Sequence, residues 1–559
     1  MRVLFEISLF VLADAVQILN NLYKKETMSS IEGRFSGETS RLSILRERLE
    51  RLPYGPKTLA WFFGILSFIV RVPFLFRWDL QLNGDTALCY LMTLRISHGD
   101  HPLYLYGQDY QGTAEYYLAG FLHALFGPSF PLYGAVGLLE WSLATAVCVF
   151  LLIQGTDKFH GIIGGIIIVV GVPFSLYQLF ILAYPLALLW AMLVLLVAYL
   201  LLTKGFSTGR FLILGLIIGT GMYLAKQFLP AMPAAFLACI LFNSHKYRPY
   251  QYLKFGFILG LGCLIGYLPE LLYRVGHPHF RSFLGIASPM TLIYNLHVIF
   301  KSIPVYFDAQ YFSRTPAIGQ FTSSYYIYPR SFMDISFSIL GGLVVFLILK
   351  SVFTSVYRKN LPLFLLSTLV GMNLLAILSS QVTNGLFWET RRYLIASSIV
   401  FSAFLGVFFA ELMIKRKVFW PLASVMLMTV FLGRVIAHEW DLLTGPEQKL
   451  VSQMKQAINY MDEIGVNRGL ADWGEAYSIT SMTNERIIMA TRQWGKLDSN
   501  TELIPQYREE VSSSRKICLV DNEGTPVKDV INFWGTSFHT VSATRYLGGY
   551  KCTCYERNP

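Results

Sequence analysis

The chain has 559 residues, 54% apolar and 14% charged, with a net charge of +11 and a mean hydropathy of +0.47. That balance belongs to a membrane protein and excludes an ordinary soluble enzyme. Much of the positive charge sits in short loops between hydrophobic runs, so it reads as a topology signal and not as a nucleic-acid-binding surface.

Residues 1–57 are basic and read as a cytoplasmic N-terminal segment. Their first apolar run, VLFEISLFVLADAVQIL, contains Glu6 and Asp14, and no small-residue cleavage site follows it. It suits an amphipathic surface helix better than a span or a signal peptide, and Met28 is an alternative start. About eleven spans follow, at 58–77, 131–153, 161–180, 182–202, 211–229, 230–243, 255–275, 335–350, 361–380, 393–413 and 418–436, most near the ~20 residues needed to cross a bilayer.

Arg41, Arg46, Arg48, Arg51 and Lys57 crowd the approach to the first span. Lys158, Lys204, Arg210, Lys246, Arg248, Lys254, Lys350, Arg358, Lys359, Lys415, Arg416 and Lys417 fall on the same side. The positive-inside rule makes that side cytoplasmic. It puts the C-terminus and residues 78–130, 276–334 and 381–392 on the outer face of the cytoplasmic membrane.

After the last span, residues 437–559 become charged and lose their long apolar runs. A helix near 447–464 precedes strand-like runs, RGLADW, RIIMAT, KICLVD and HTVSATRY, separated by helical stretches. This alternation predicts a small α/β domain outside the membrane. The expected architecture is therefore an α-helical polytopic membrane protein, with its transmembrane domain at 58–436 and an extracytoplasmic α/β domain at 437–559. The seven cysteines show no metal-ligand spacing. Cys89, Cys148, Cys239 and Cys263 read as packing residues, whereas Cys518 can pair with Cys552 or Cys554 in an oxidising compartment.

The first outer loop, 78–130, is long and rich in Tyr, Gly and His, with five carboxylates: Asp79, Asp85, Asp100, Asp109 and Glu115. Two helices at the membrane surface are expected, at 85–97 and 112–126, around a turn-like stretch broken by Gly99, Pro102 and Gly107. Long structured loops usually carry function; a packing element with solvated acids is the alternative. His98, Asp100 and His101 are a weak metal candidate, since such a turn is more often solvated. The runs at Tyr104–Tyr106, Tyr116–Tyr117 and Tyr325–Tyr328 fit sugar stacking or, somewhat better, an interfacial aromatic belt.

Several charges fall inside or beside the outer ends of spans: Arg77, Glu140, Lys226, Glu270, Arg274, Glu389, Arg391 and Arg392. An isolated charge at membrane depth costs several kcal/mol, so such residues face one another or a wet cavity. Together they imply a polar cavity open to the outer face, roofed by residues 78–130. A plain i,i+4 ion pair explains Glu270 and Arg274 at least as well.

The stretch NGDTALCYLMTLRISHGDHPLYLYGQDYQGTAEYYLAGFLHALFGPS resembles the first outer loop of bacterial GT-C glycosyltransferases, the superfamily of the protein O-mannosyltransferases and aminoarabinose transferases. The likeness rests on an acid opening the loop and on Tyr106, Gly107, Gln108, Tyr110, Gly112 and Glu115. It returns in RGLADWGEAYSITSMTNERIIMA, where Trp473-Gly474-Glu475 replaces a more usual Tyr-Trp pair.

The resemblance implies a GT-C fold of about eleven transmembrane helices and transfer of a sugar from a polyprenyl-phosphate carrier to a cell-envelope acceptor. In that reading Asp85 is the catalytic base, and Glu115 or Asp109 assists at the acceptor. Arg391 and Arg392, before Tyr393-Leu394, bind donor phosphate together with Lys226 and Arg274. Thr86 stands where the family often has a second acid. No cofactor is required by the sequence, although a divalent metal is compatible with it. The sugar and the acceptor are open, and the expected partners are the lipid-linked donor and the bilayer.

Two rivals share parts of this pattern. A polysaccharide polymerase or ligase needs the cations but not Asp85 as base. A transporter or lipid flippase would use 211–229 and 230–243 as a broken helix, yet it needs neither the large outer loop nor the outer domain. No repeat relates the two halves. The lack of a Walker motif or Gly-rich strand-turn-helix disfavours an ATP-driven pump and a cytosolic sugar-nucleotide enzyme.

Overall fold

The structure, a computed structural model, describes residues 41–170, 179–243, 247–276, 288–293, 295, 332–379, 394–415, 419–492, 502–541 and 544–558. The amphipathic run expected near the start, most of the loop 276–334 and the segment 381–392 lie outside the described residues. In α1 (Arg41–Glu50), Arg46 pairs with Asp157 at 2.6 Å. Lys158 donates to the carbonyls of Glu50 and Leu52 at 2.9 and 2.8 Å.

Helix α2 (Pro56–Leu75) starts with proline in its first turn, where the missing N–H costs nothing. Arg71 is fully buried within it. Its guanidinium bonds Ser67 Oγ at 2.8 Å and the Ile168 carbonyl at 3.0 Å, and lies over the Trp141 ring. A charge at this depth survives because its hydrogen bonds are made internally. Then come α3 (Gly84–Ser97), a hairpin of β1 (Tyr104–Leu105) and β2 (Gln108–Gly112), and α4 (Ala114–Phe126). The two expected loop helices are therefore present.

The bundle continues with α5 (Phe130–Gly155), α6 (Lys158–Val170), α7 (Ala183–Lys204), α8 (Thr208–Leu224), α9 (Ala231–Phe242), α10 (Pro249–Gly276), α11 (Phe332–Tyr357), α12 (Leu361–Ser379), α13 (Ile395–Met413) and α14 (Phe419–Thr444). Among the described residues, seven helices are long and apolar enough to cross a membrane, and four shorter apolar helices accompany them. Each expected span thus has its helix, and the protein is a multi-pass membrane protein.

Several ends differ from expectation: α10 starts at Pro249 and not at 255, and α11 runs to Tyr357 and not to 350. The last apolar helix runs on to Thr444, past 436. The fifth span stops at Leu224 instead of 229, so Lys226 lies beyond it in a short 3-10 turn, Lys226–Phe228. The cause is tertiary: Ala225 adopts an extended-side conformation (φ −152°, ψ 88°) and forms a β-bridge with Gln111 of the loop hairpin.

Helices α8 and α10 approach backbone to backbone. A Cβ on Gly219 would fall 2.2 Å from the Cys263 carbonyl oxygen, one on Gly215 2.3 Å from that of Leu259, and one on Gly262 2.6 Å from that of Leu212. Both helices carry glycines four residues apart, Gly215/Gly219 and Gly262/Gly266. Without a hydrophobic drive between helices in lipid, such close packing supplies the association.

The C-terminal part contains α15 (Lys449–Glu463), β3 (Arg468–Asp472), α16 (Trp473–Met482), β4 (Ile488–Arg492), α17 (Pro505–Ser513), β5 (Lys516–Asn522), β6 (Val530–Phe533), β7 (Thr536–Thr540), β8 (Arg545–Tyr546) and β9 (Tyr550–Arg557). The sheet order is β4-β3-β5-β9-β7-β6, with β8 on β9. Strands β4, β3 and β5 are parallel and connected through helices, as the alternation predicts, while the rest pair antiparallel. The run HTVSATRY is not one strand, because β7 and β8 divide it. Cys518 faces Cys554 across β5 and β9 and forms a disulfide with it. Burial pushes the remaining thiol, Cys552, up to about 12.

Candidate functional site

Asn83 caps α3, its side-chain oxygen accepting from the Thr86 amide at 3.0 Å. This cap starts the helix at Gly84 and sets Asp85 in its first turn, half-buried. The partial positive charge of a helix N-terminus favours a carboxylate there. One turn on, Cys89 Sγ lies 3.2 Å from the Tyr116 hydroxyl of α4. Gln111 Nε2 donates to the same hydroxyl at 2.6 Å. Burial pushes the Cys89 thiol up to about 12, so it packs and does not act as a nucleophile.

Glu115 lies beside this group and is only 3% exposed. By distance and angle neither of its carboxylate oxygens makes a hydrogen bond among the described residues, although the Gln111 amide lies near enough to favour the anion slightly. Burial pushes its carboxyl up to about 8, so it is largely protonated at neutral pH. Glu140 of α5 is buried near enough to interact electrostatically with Glu115, and its Oε2 has no hydrogen-bond partner among the described residues. Tyr133, fully buried, donates to the Phe180 carbonyl at 2.7 Å and lies close enough to Cys89, Glu115 and Glu140 to interact with each, so it belongs to this acidic cluster.

The bridge between Gln111 and Ala225 joins this acidic cluster to a second cluster. A Cβ on Gly112 would fall 2.9 Å from the side chains of Leu224 and Tyr223, so the hairpin needs glycine to dock there. Next in the chain, Lys226 Nζ reaches Glu270 Oε1 at 3.2 Å. Arg274 Nη2 and Nε reach the same oxygen at 2.5 and 3.2 Å. Glu270 is completely buried, and its Oε2 has no partner among the described residues.

Tyrosines line this cluster. The Tyr104 ring lies 4.3 Å from that of Tyr273 and 5.5 Å from that of Tyr223. The Arg274 guanidinium lies over Tyr267. Tyr223 interacts electrostatically with both Glu115 and Glu270 and so stands between the two clusters.

Of the predicted site residues, Asp85 and Glu115 both lie near Cys89, and Lys226 and Arg274 meet on Glu270. The expected Glu270–Arg274 pair exists, with Lys226 added to it. Asp109 has its backbone in β2, but its side chain lies outside the described part, as do Glu389, Arg391 and Arg392 altogether. Arg77 is a structural tie, bonded to Asp79 at 2.9 Å and to the backbone of Leu442, Gly445 and Pro446.

His98, Asp100 and His101 do not converge. Asp100 accepts from Tyr106 and pairs with Arg95, whereas His101 stacks on Tyr117. Among the described residues the grouping with metal-ligand proximity is Cys518, Cys552 and Cys554, two of which are already bonded to each other. Tyr104 and Tyr116 are buried, which removes them from an interfacial belt; Tyr325–Tyr328 lie outside the described residues.

Cys89 packs, as its sequence context suggests, and Tyr116 comes from one of the tyrosine runs noted above. The sequence reading missed Gln111, Tyr133 and Tyr223; Gln111 and Tyr223 come together through the hairpin's docking on α8.

No protein-family model matches the sequence, and no curated protein sequence matches it. Solved structures do. ArnT from Cupriavidus metallidurans bound to undecaprenyl phosphate superposes with a TM-score of 0.56 at 9% identity, over 88% of this chain and 97% of that one. Its apo state gives 0.54 at 9% identity over the same shares. The archaeal oligosaccharyltransferase AglB from Archaeoglobus fulgidus gives 0.46 at 14% identity, over 83% of this chain and 69% of that one. At 9% identity the likeness is one of fold: this chain shares the fold of ArnT across most of its length.

Proposed function

We propose that the protein is a membrane glycosyltransferase moving a sugar from a polyprenyl-phosphate carrier to a cell-envelope acceptor, on the outer face of the cytoplasmic membrane. The observation that carries this reading is the docking of the loop hairpin on Ala225, which brings the carboxylate group around Cys89 and Tyr116 beside the cations gathered on Glu270. Phosphate-leaving chemistry needs these two chemistries side by side. The fold shared with ArnT, whose structure holds undecaprenyl phosphate, supports it.

In this mechanism Asp85 takes the proton from the acceptor hydroxyl or amine. The freed lone pair bonds the anomeric carbon while the carbon–oxygen bond to phosphate breaks. The leaving electron pair stays on the phosphate, where Lys226, Arg274, Arg391 and Arg392 offset its charge. Protonated Glu115 donates a hydrogen bond that orients the acceptor, a task Asp109 can share. No step runs through a metal. Residues 1–57 would be the cytoplasmic segment, 58–436 the transmembrane domain and 437–559 the outer domain.

The test uses purified protein, a panel of polyprenyl-phosphate sugars and an envelope extract as acceptor. Release of polyprenyl phosphate by the wild type, lost in Asp85→Asn, is the expected result. Equal release by both would remove Asp85 from the mechanism and favour a polymerase or ligase. No release from any donor would refute the transferase reading.

A further inference from the structure

The stretch RGLADWGEAYSITSMTNERIIMA takes no part in the chemistry above. Its residues form the face of the C-terminal sheet domain that packs on α3, the helix carrying Asp85. Trp473 opens α16 with its indole against Gly84: a Cβ there would fall 2.1 Å from Trp473 Cζ3. Only glycine admits the ring at this point, and Asp85 is the next residue. In the middle of α3, the Tyr90 hydroxyl donates to Asn484 Oδ1 at 2.8 Å. In its last turn, Arg95 Nε lies 3.3 Å from Glu485 Oε1 and its guanidinium covers the Tyr507 ring. Tyr507 donates in turn to Glu485 at 2.5 Å.

Asn484 and Glu485 have φ values of 49° and 63°. Consecutive left-handed residues with side chains are strained and persist only where their surroundings over-determine them. Here the two strained residues are the ones whose side chains hold α3. The helix is thus gripped in its first turn, its middle and its last turn by a single element of the C-terminal domain and the turn that ends it.

We propose that the C-terminal domain is a positioning element of the reaction centre: α16 and the turn at Asn484 and Glu485 clamp α3, and Trp473 is the positioning residue that sets Asp85 toward the acceptor. The inference rests on the reading of Asp85 as the base. A carboxylate in the first turn of a helix is redirected by any fraying or tilt of that turn, and misplacement by about 1 Å is enough to cost a hundredfold in rate.

The experiment compares full-length wild type, Trp473→Ala, Trp473→Phe and Glu485→Gln in lipid nanodiscs by hydrogen exchange and by release of polyprenyl phosphate. Trp473→Ala is expected to speed exchange in residues 84–97 by about tenfold or more while β5 and β9 stay protected, and Trp473→Phe to restore most of the protection. It should lower kcat by at least about tenfold with the donor KM unchanged. Unchanged exchange in residues 84–97 of a folded Trp473→Ala overturns the clamp.

Should Trp473→Ala also lose protection in β5 and β9, Glu485→Gln decides: faster exchange around Arg95 supports the clamp, and none overturns it. Faster exchange in Trp473→Ala with an unchanged kcat overturns the positioning role. A wild type that releases nothing refutes the transferase reading, while the exchange result still decides the clamp.

Discussion

Replacing Glu115 with Gln isolates the cost of burying an acid without a partner. Glu115 is 3% exposed, and both its oxygens lack hydrogen bonds among the described residues. Its carboxyl moves from an ordinary 4.5 to about 8 because burial disfavours the anion. Between those values the folded chain holds a proton that the unfolded chain has released. Stability therefore falls as pH rises through that window and levels off above about 8. At 1.36 kcal/mol per pKa unit, the loss approaches roughly 5 kcal/mol.

Glu115→Gln keeps the shape and cannot ionise, so it escapes this loss. The assay is the apparent unfolding midpoint of both proteins in detergent, by intrinsic fluorescence, from pH 5 to pH 9. The variant's advantage should grow steadily to about pH 8 and then hold constant. Two parallel curves would refute the argument, because they would mean that Glu115 is hydrated or paired in the folded protein.

Asp85→Asn should reduce kcat by at least about a hundredfold while leaving donor affinity within a few-fold, read from initial rates at varied donor. Lys226→Ala and Arg274→Ala should each weaken polyprenyl-phosphate binding by about tenfold or more. Because both cations sit on one oxygen of Glu270, the double variant measured by the same titration should lose less than the product. Gly219→Leu should lower the unfolding midpoint sharply, since its backbone position lies against the Cys263 carbonyl. Gly256→Leu should not, because no atom lies within 4 Å of a Cβ at that site. Breaking the Cys518–Cys554 disulfide, which spans 36 residues, with Cys518→Ser should cost up to about 4 kcal/mol in denaturant titrations.

Hydrophobic runs, the charge bias of their loops and the alternation in the tail were enough, from the sequence alone, to define a membrane bundle with an appended α/β domain. These signals are local: a span needs about twenty apolar residues in succession, and a strand or surface helix shows its own period. Asp85 and Glu115 were legible as candidates because the long structured loop that carries them resembles the first outer loop of GT-C glycosyltransferases; their residue types alone fitted packing as well as chemistry.

What they do was decided elsewhere. The extended conformation at Ala225, which ends α8 early and frees Lys226 from the span, follows from a bridge to Gln111, far away in the chain. The burial that protonates Glu115 comes from α3, α4 and α5 closing around it. The choice of Cys554 over Cys552 follows from strand register, which pairs Cys518 with Cys554 directly. Each of these depends on contacts between segments distant in sequence, and neither composition nor periodicity carries distance. The sequence by itself determined which segments span and which charges are unusual, whereas only the tertiary structure decided which of those charges meet.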